Sequence, residues 1–343
     1  MARVAIIGTG LIGASIGLRL KASRPTRDLE VAGFDRDPQV SRAAARVGAI
    51  DVDARSLEEA VRGASLVVLS TPVLALRALM DEIAPALAED AVVTDTGSTK
   101  ADVMAWARAA LPQRVHFVGG HPMAGKTDTG PEAAEATLFE GARWVIVPST
   151  RAPESAVATV RAFVESMGAR EMFMDAEEHD AYVAAISHLP MMAANALFSL
   201  MRHSEAWPEL AQLAASGFRD TTRLAGTDPD MAFDIAATNR AQIVHWLERY
   251  REALGDLQRR IADVGAEQDL YKALQQSSWD YSAFLQGEVG RKEIDEGPEL
   301  PRLDFSSLLM GEAAAEKLRQ ITRRSEERLA ELEGRRRPPG RDD

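Results

Sequence analysis

The chain opens on a short apolar run, Arg3–Ile7, and similar runs recur at Glu30–Phe34, Ser65–Ser70, Ala91–Thr94, Val115–Val118, Arg143–Val147 and Arg170–Met174. Between them, Pro38–Val47, Leu74–Leu87 and Lys100–Leu111 carry apolar residues at helical spacing. Short β-branched runs alternating with helices predict parallel strands joined by crossover helices. Runs such as LVVL and WVIV lack polar alternation, as strands do in a sheet covered on both faces. The expected class is therefore α/β, a doubly wound parallel sheet over residues 1–175. From Asp175 the strand pattern stops, and Ala176–Met201, Pro208–Ser216 and Pro229–Val264 read as helices. This predicts an all-helical second domain over 176–285. Such helices often pair across a two-fold axis, so a homodimer is expected. Residues 286–343 form a charged extension, with a helix expected from about Phe305 to Glu333 and a disordered end, Gly334–Asp343. The basic triplet Arg335–Arg337 reads as part of a solvated terminus.

Length and composition fit this plan. A chain of 343 residues exceeds one comfortable core and suits two domains plus a tail, and 46% hydrophobic residues exclude global disorder. A formal charge of −12 leaves no basic surplus for nucleic acid. The absence of cysteine removes disulfides, thiolate chemistry and cysteine-bound zinc, and no convincing metal cluster is expected. The first residues run straight into a strand without the features of a signal peptide, and no uninterrupted apolar run approaches membrane-spanning length. A soluble cytoplasmic protein is expected.

The first motif lies where the first strand meets the first helix. Gly8-Thr9-Gly10-Leu11-Ile12-Gly13 follows an apolar strand and opens the helix Ala14–Lys21, the setting a dinucleotide-binding turn requires. The first glycine permits the tight turn, the second lets a pyrophosphate approach the backbone, and the third lets helix and strand pack closely. Helix N-terminal amides, those of Leu11 and Ile12 among them, then hold the phosphates. Asp35 ends the second strand, where a carboxylate bonds the adenosine ribose hydroxyls. Its charge would repel a 2′-phosphate and favours NAD; Arg36 beside it is the feature that would favour NADP. The sheet is thus expected to be Rossmann-type. Thr71 and Pro72 follow a later strand and should line the same crevice, as should Asp95-Thr96-Gly97-Ser98-Thr99-Lys100, where Asp95 or Ser98 could equally be a helix cap.

Three further segments carry candidate chemistry. Gly119-Gly120-His121-Pro122-Met123-Ala124-Gly125 puts a histidine on a glycine-bracketed loop after a strand, and histidine suits proton transfer near neutral pH. The bland alternative is a loop histidine bonding backbone. Ser187-His188-Leu189-Pro190 interrupts a helix, with Ala184, Ser187, His188 and Met191 on one helical face. Proline there frees carbonyls and bends the helix. Gly217-Phe218-Arg219-Asp220-Thr221-Thr222-Arg223-Leu224-Ala225 sets two arginines around an acid, and arginine is the natural fork for a carboxylate. One of the two could instead bridge to Asp220. The remaining histidines read as structural, including His179 in a solvated helix start, and Trp144, Trp246 and Trp279 read as core.

DxGSxK, GHPMAG, SHLP and GFRDTTRLA, in this order behind GTGLIG, resemble the prephenate and arogenate dehydrogenases over roughly residues 3–285. The resemblance implies NAD-dependent oxidative decarboxylation of prephenate, or of arogenate, on the route to tyrosine. It implies His121 as the catalytic histidine at the substrate ring hydroxyl and Ser98 as the partner orienting that hydroxyl. His188 would line the substrate pocket, Arg223 would bind a substrate carboxylate, and Asp220 would hold Arg223 or His188. Two departures bear on specificity. Met191 stands where many members carry a second histidine, and Lys126-Thr127 follow GHPMAG where members often carry Thr-Glu. A lysine there disfavours the ammonium of arogenate and so favours prephenate. The competing readings are a β-hydroxyacid dehydrogenase and a non-catalytic NAD-binding regulator. The first requires a lysine on the opening helix of the second domain, and Asp175–Met201 has none. The second would need the glycine turn but not His121, Ser98 and Arg223 together.

Overall fold

The computed structural model describes residues 2–23, 26, 28–126, 128–289 and 305. Its first part alternates strand and helix: β1 (Arg3–Ile7), α1 (Leu11–Ala22), β2 (Glu30–Phe34), α2 (Pro38–Arg46), β3 (Val52–Asp53), α3 (Leu57–Val61), β4 (Leu66–Leu69), α4 (Ala75–Ile83), β5 (Val92–Asp95), α5 (Ala101–Ala110), β6 (His116–Pro122), β7 (Arg143–Pro148), α6 (Glu154–Ser166) and β8 (Arg170–Phe173). These strands form one eight-stranded sheet in the order β3-β2-β1-β4-β5-β6-β7-β8. The central strands are buried on both faces. Val4, Ile6, Leu66 and Val68 pack into one core with Ile16 and Leu20, while Ala5, Ile7, Val67 and Leu69 pack into another with Leu76, Met80 and Ile83. Each such Val, Leu, Ile or Met side chain contributes about 1.5–3 kcal/mol, which is why these strands show no polar alternation.

Two details depart from the expected sheet. β3 is only two residues long, too short to show a period, and it is anchored where the Ser41 hydroxyl bonds the Asp53 carboxylate. The sheet is also not wholly parallel, because β7 runs antiparallel to β6 before β8 again pairs parallel with β7. The β6–β7 connection shows only a 3-10 turn at Pro131–Ala133 among its described residues. A strand pair without a crossover helix returns antiparallel.

From Ala176 the described chain is helical: α7 (Ala176–Val183), a π-helical turn (Ala184–His188), α8 (Leu189–Arg202), α9 (Trp207–Leu213), α10 (Ser216–Thr222), α11 (Pro229–Thr238), α12 (Arg240–Ala262) and α13 (Glu267–Leu285). The run expected as one helix over Pro229–Val264 is two, because Asn239 leaves helical geometry (φ −126°, ψ 31°). The chain divides into two compact units. One contains the residues up to Asp180, the α11 segment Pro229–Thr238 and Phe305; the other contains Ala181–Asp228 and the residues from Asn239. Helix α11 thus belongs with the sheet, where Asp234 accepts from the Leu74 amide (3.0 Å) and Thr238 bonds Thr99 (2.8 Å).

The helical run Ala176–Arg202 has the length and mean hydropathy to cross a bilayer. Yet it buries His179, Asp180 and His188 inside the protein, and lipid-facing helices rarely carry such residues. Of the aromatic positions expected as core, Trp144 is fully buried, but Trp279 is 60% exposed on α13, a helix with no buried residue. The expected C-terminal helix and tail lie outside the described residues except for Phe305, whose ring packs 5.8 Å from that of Phe163.

Candidate active site

The β1–α1 turn has the geometry its glycines predict. Gly8 takes φ +89°, and a Cβ there would lie 2.4 Å from the Ser70 carbonyl oxygen. A Cβ at Gly13 would lie 2.0 Å from the Gly8 carbonyl oxygen, so helix and turn touch at this point. Gly10 is the contrast: a Cβ there would meet nothing within 4 Å. It stands at the N-cap of α1, where no side chain caps the first amides. Open space over uncapped helix amides fits a pyrophosphate. Asp35 is half-buried, and its two oxygens accept from the Thr9 amide (2.9 Å) and the Asp37 amide (3.0 Å). The carboxylate is therefore held in place by the turn, with lone pairs to spare. Thr71 leaves its buried hydroxyl without a partner, and Pro72 is exposed.

β1, β4, β5 and β6 run parallel, so their carboxyl ends share one sheet edge. The glycine turn, Thr71 and Pro72, Ser98, and His121 all follow or end these strands. Asp95 does not cap α5. It is fully buried, pairs with the Lys100 ammonium, and accepts from the Gly97 amide (2.8 Å) and the Gly120 amide (3.1 Å). It therefore ties the end of β5 to β6. Ser98 is half-buried, and its hydroxyl makes no hydrogen bond to His121 or any other described residue.

His121 differs from the expected loop position. β6 continues through His116–Pro122, and His121 lies opposite Val145 of β7. The glycines permit a close strand rather than a loop: a Cβ at Gly120 would lie 2.6 Å from the Asp95 carbonyl oxygen. The His121 ring is edge-on to that of His179, with Nδ1 2.8 Å from His179 Nε2. His179 Nδ1 is in turn 2.8 Å from Asp180 Oδ1. Asp180 also accepts from the Lys100 amide (2.8 Å, at Oδ1) and the Ala101 amide (2.9 Å, at Oδ2), the first turn of α5.

This corrects the reading of His179 as solvated: it is 0% exposed, and Asp180 is 3% exposed. The local sequence Glu177-Glu178-His179-Asp180 looks polar throughout. The usable signal was periodicity, since Ala176, His179, Asp180 and Val183 share one buried face of α7.

In the helical unit, the π turn changes which residues point inward. The Leu189 amide bonds the Ala184 carbonyl, one residue further back than in an α-helix, ahead of Pro190, which has no amide to give. Ala184, His188 and Met191 are buried, but Ser187, expected on their face, is exposed. His188 Nδ1 is 3.2 Å from the Asn239 side-chain amide, a partner the sequence reading missed. Arg219 and Asp220 lie on α10 and Arg223 begins the following 3-10 turn; all three are exposed. No ion pair or hydrogen bond among the described residues joins Asp220 to Arg223 or to His188, so the expected holding role of Asp220 is not seen. Lys126 pairs with Glu135, so its charge is engaged within the chain, and Thr127 lies outside the described residues.

Comparison with known proteins matches both halves of the chain. Residues 16–173 match the model for the prephenate dehydrogenase nucleotide-binding domain, and residues 175–276 match that for the prephenate dehydrogenase dimerization domain. The prephenate dehydrogenase of Bacillus subtilis is 36% identical over 256 residues, 74% of this chain and 68% of that protein. The cyclohexadienyl dehydrogenase of Zymomonas mobilis is 34% identical over 261 residues, 76% of this chain and 88% of that protein. The crystal structure of prephenate dehydrogenase from Aquifex aeolicus with hydroxyphenyl propionate and NAD+ superposes with a TM-score of 0.76 at 30% identity, covering 83% of this chain and 98% of that one. Synechocystis arogenate dehydrogenase gives a TM-score of 0.70 at 29% identity, covering 82% and 99%. A dinucleotide turn, a histidine at the shared sheet edge and both matched domains agree: the chain belongs to the prephenate dehydrogenase family.

Proposed function

We propose that this protein is an NAD-dependent prephenate dehydrogenase, a cytoplasmic homodimer that converts prephenate to 4-hydroxyphenylpyruvate and carbon dioxide. The observation that carries the mechanism is the hydrogen-bonded, half-buried His121 on the edge that also bears the glycine turn. Bound NAD supplies the hydride acceptor for the carbinol carbon. Gly8, Gly10, Leu11, Ile12 and Gly13 hold its pyrophosphate, Asp35 its adenosine ribose, and Thr71 and Pro72 line its crevice. His121 accepts the ring-hydroxyl proton as the carbonyl forms, a contribution of about 10²–10⁴-fold. The bond to the ring carboxylate then breaks, its electron pair entering the ring, and His121 returns the proton to the resulting phenolate. Aromatisation makes this downhill, so the residues mainly align and hold. Ser98, with its hydroxyl unengaged by protein, orients the substrate hydroxyl. Arg223 forks a substrate carboxylate, His188 lines the pocket, and Asp220 supports them once ligand is bound.

We read residues 1–175 as the dinucleotide-binding domain, 176–285 as the substrate and dimerization domain, and 286–343 as an extension. Support for the dimer comes from the exposed apolar residues of α12 and α13, including Val244, Ile261, Trp279 and Phe284, together with the matched dimerization model. The second reading, arogenate as substrate, is favoured by the pairing of Lys126 with Glu135, which weakens repulsion of an ammonium. Supplying NAD or NADP with prephenate or arogenate and following absorbance of the reduced nicotinamide separates these readings. The highest kcat/KM should belong to NAD with prephenate; a higher value with arogenate would reassign the substrate.

A further inference from the structure

We infer that Asp180 and His179 fix the tautomer of His121, and that both are positioning residues for the base. The inference rests on the reading of His121 as that base. Its starting point is a carboxylate whose role is fixed by its neighbours. Asp180 accepts two amides from the first turn of α5, where the helix end favours negative charge. An ionised carboxylate only accepts, so the hydrogen between Asp180 Oδ1 and His179 Nδ1 belongs to the imidazole. A neutral imidazole carries one N–H, so His179 Nε2 is an acceptor. Facing it at 2.8 Å is His121 Nδ1, which must therefore donate. In neutral His121 the other nitrogen, Nε2, then bears no hydrogen and is the atom able to take one.

The opposite assignment would put a second proton on His179 and reverse the bond to His121. Asp180 is already held by two amide donors, and Lys100 pairs with Asp95 rather than with Asp180. All three members of the chain are in the sheet unit, His179 and Asp180 on α7 and His121 on β6, and the start of α5 that supplies the amides belongs to the same unit. The fold therefore sets the tautomer before substrate arrives. When His121 takes the hydroxyl proton, the positive charge on its ring forms beside an accepting nitrogen backed by a carboxylate. The same logic operates in the Ser-His-Asp triad, where the acid orients the histidine and replacing it by its amide lowers turnover by about 10⁴-fold.

The experiment uses the full chain. Nitrogen-15 spectra of the imidazoles, with His121 identified by its loss in His121→Asn, should show His121 protonated at Nδ1 and bare at Nε2. Asp180→Asn should mix or reverse this pattern and lower kcat by about 10²–10⁴-fold. The KM for prephenate and the Kd for NAD should stay within about threefold. His179→Gln, whose amide oxygen can still accept from His121, should retain more turnover than His179→Leu, which offers no acceptor. A wild-type His121 protonated at Nε2 overturns the inference. So does a kcat within about threefold of wild type in folded Asp180→Asn and His179→Leu. Asp180→Asn also weakens the cap on α5; if it does not fold, the wild-type tautomer and the two His179 variants decide. The tautomer is read without turnover, so a protein inactive on prephenate would break the functional reading while leaving this answer intact.

Discussion

The polar cluster around His121 and the one around Arg223 are built in opposite ways. The first sinks into the sheet unit, and His179 and Asp180, nearly fully buried, are hydrogen-bonded to each other, to His121 and to the start of α5. The second lies exposed on α10 and the turn after it, with no ion pair between Asp220 and Arg223 among the described residues. A buried polar group without partners costs about 1–3 kcal/mol, so the first cluster exists only because it is complete. The exposed arginines bear no such cost. On the proposed function, the first cluster serves as a preorganised chemical device and the second as a surface that binds substrate. Substitutions in the two should therefore fail differently, the first in turnover and the second in affinity.

The largest effect is expected at His121. His121→Asn should lower kcat by about 10²-fold or more with little change in KM; steady-state kinetics on prephenate checks this, and an active Asn variant would remove His121 from the mechanism. Arg223→Ala should instead raise the KM for prephenate, by roughly 30-fold, the low end of the about 2–5 kcal/mol range for a lost charge partner, since Arg223 is exposed before binding. Arg223→Lys should rescue poorly, because a point charge does not reproduce the planar fork, and the Kd for NAD should not move. A normal KM in Arg223→Ala would pass the role to Arg219 or end it. Asp35→Ser should weaken NAD by about tenfold or more, the loss of a charge-assisted hydrogen bond of roughly 1.5 kcal/mol, and relatively improve NADP; fluorescence titration of both cofactors tests it, and a wild type that prefers NADP would contradict it. The smallest effect is expected away from both clusters. Glu171 bonds Arg161 through two 2.8 Å contacts and thereby raises the guanidinium pKa, yet both side chains meet solvent. Glu171→Gln should cost under about 1 kcal/mol in denaturant unfolding and leave kcat unchanged.

What could be read from the sequence follows the same division. The β1–α1 turn is legible because its chemistry is local: three glycines, one strand and one helix N-terminus lie within a few residues. The strands of the two-faced core are legible because burial on both sides erases polar alternation, as in Leu66–Leu69. The parallel-to-antiparallel change at β7 was hidden, since nothing in the composition of Arg143–Pro148 encodes the direction of its partner. His179 and Asp180 were hidden for a related reason. Their partners lie 58 residues away at His121 and 80 residues away at Lys100, and two glutamates before them give the segment a solvated appearance. The π turn also defeated a helical-wheel argument, because one extra residue in the turn rotates Ser187 outward while His188 stays buried.

The central claim is that one protein couples oxidation of a ring carbinol to loss of the ring carboxylate, through the histidine on β6. Rapid mixing of the NAD-bound protein with prephenate labelled in its ring carboxylate tests it most directly, with NADH absorbance and released carbon dioxide followed together. Equal amounts of the two products are predicted in the wild type, with both suppressed together in His121→Asn. NADH without carbon dioxide, carbon dioxide without NADH, or neither product from the wild type would contradict the account.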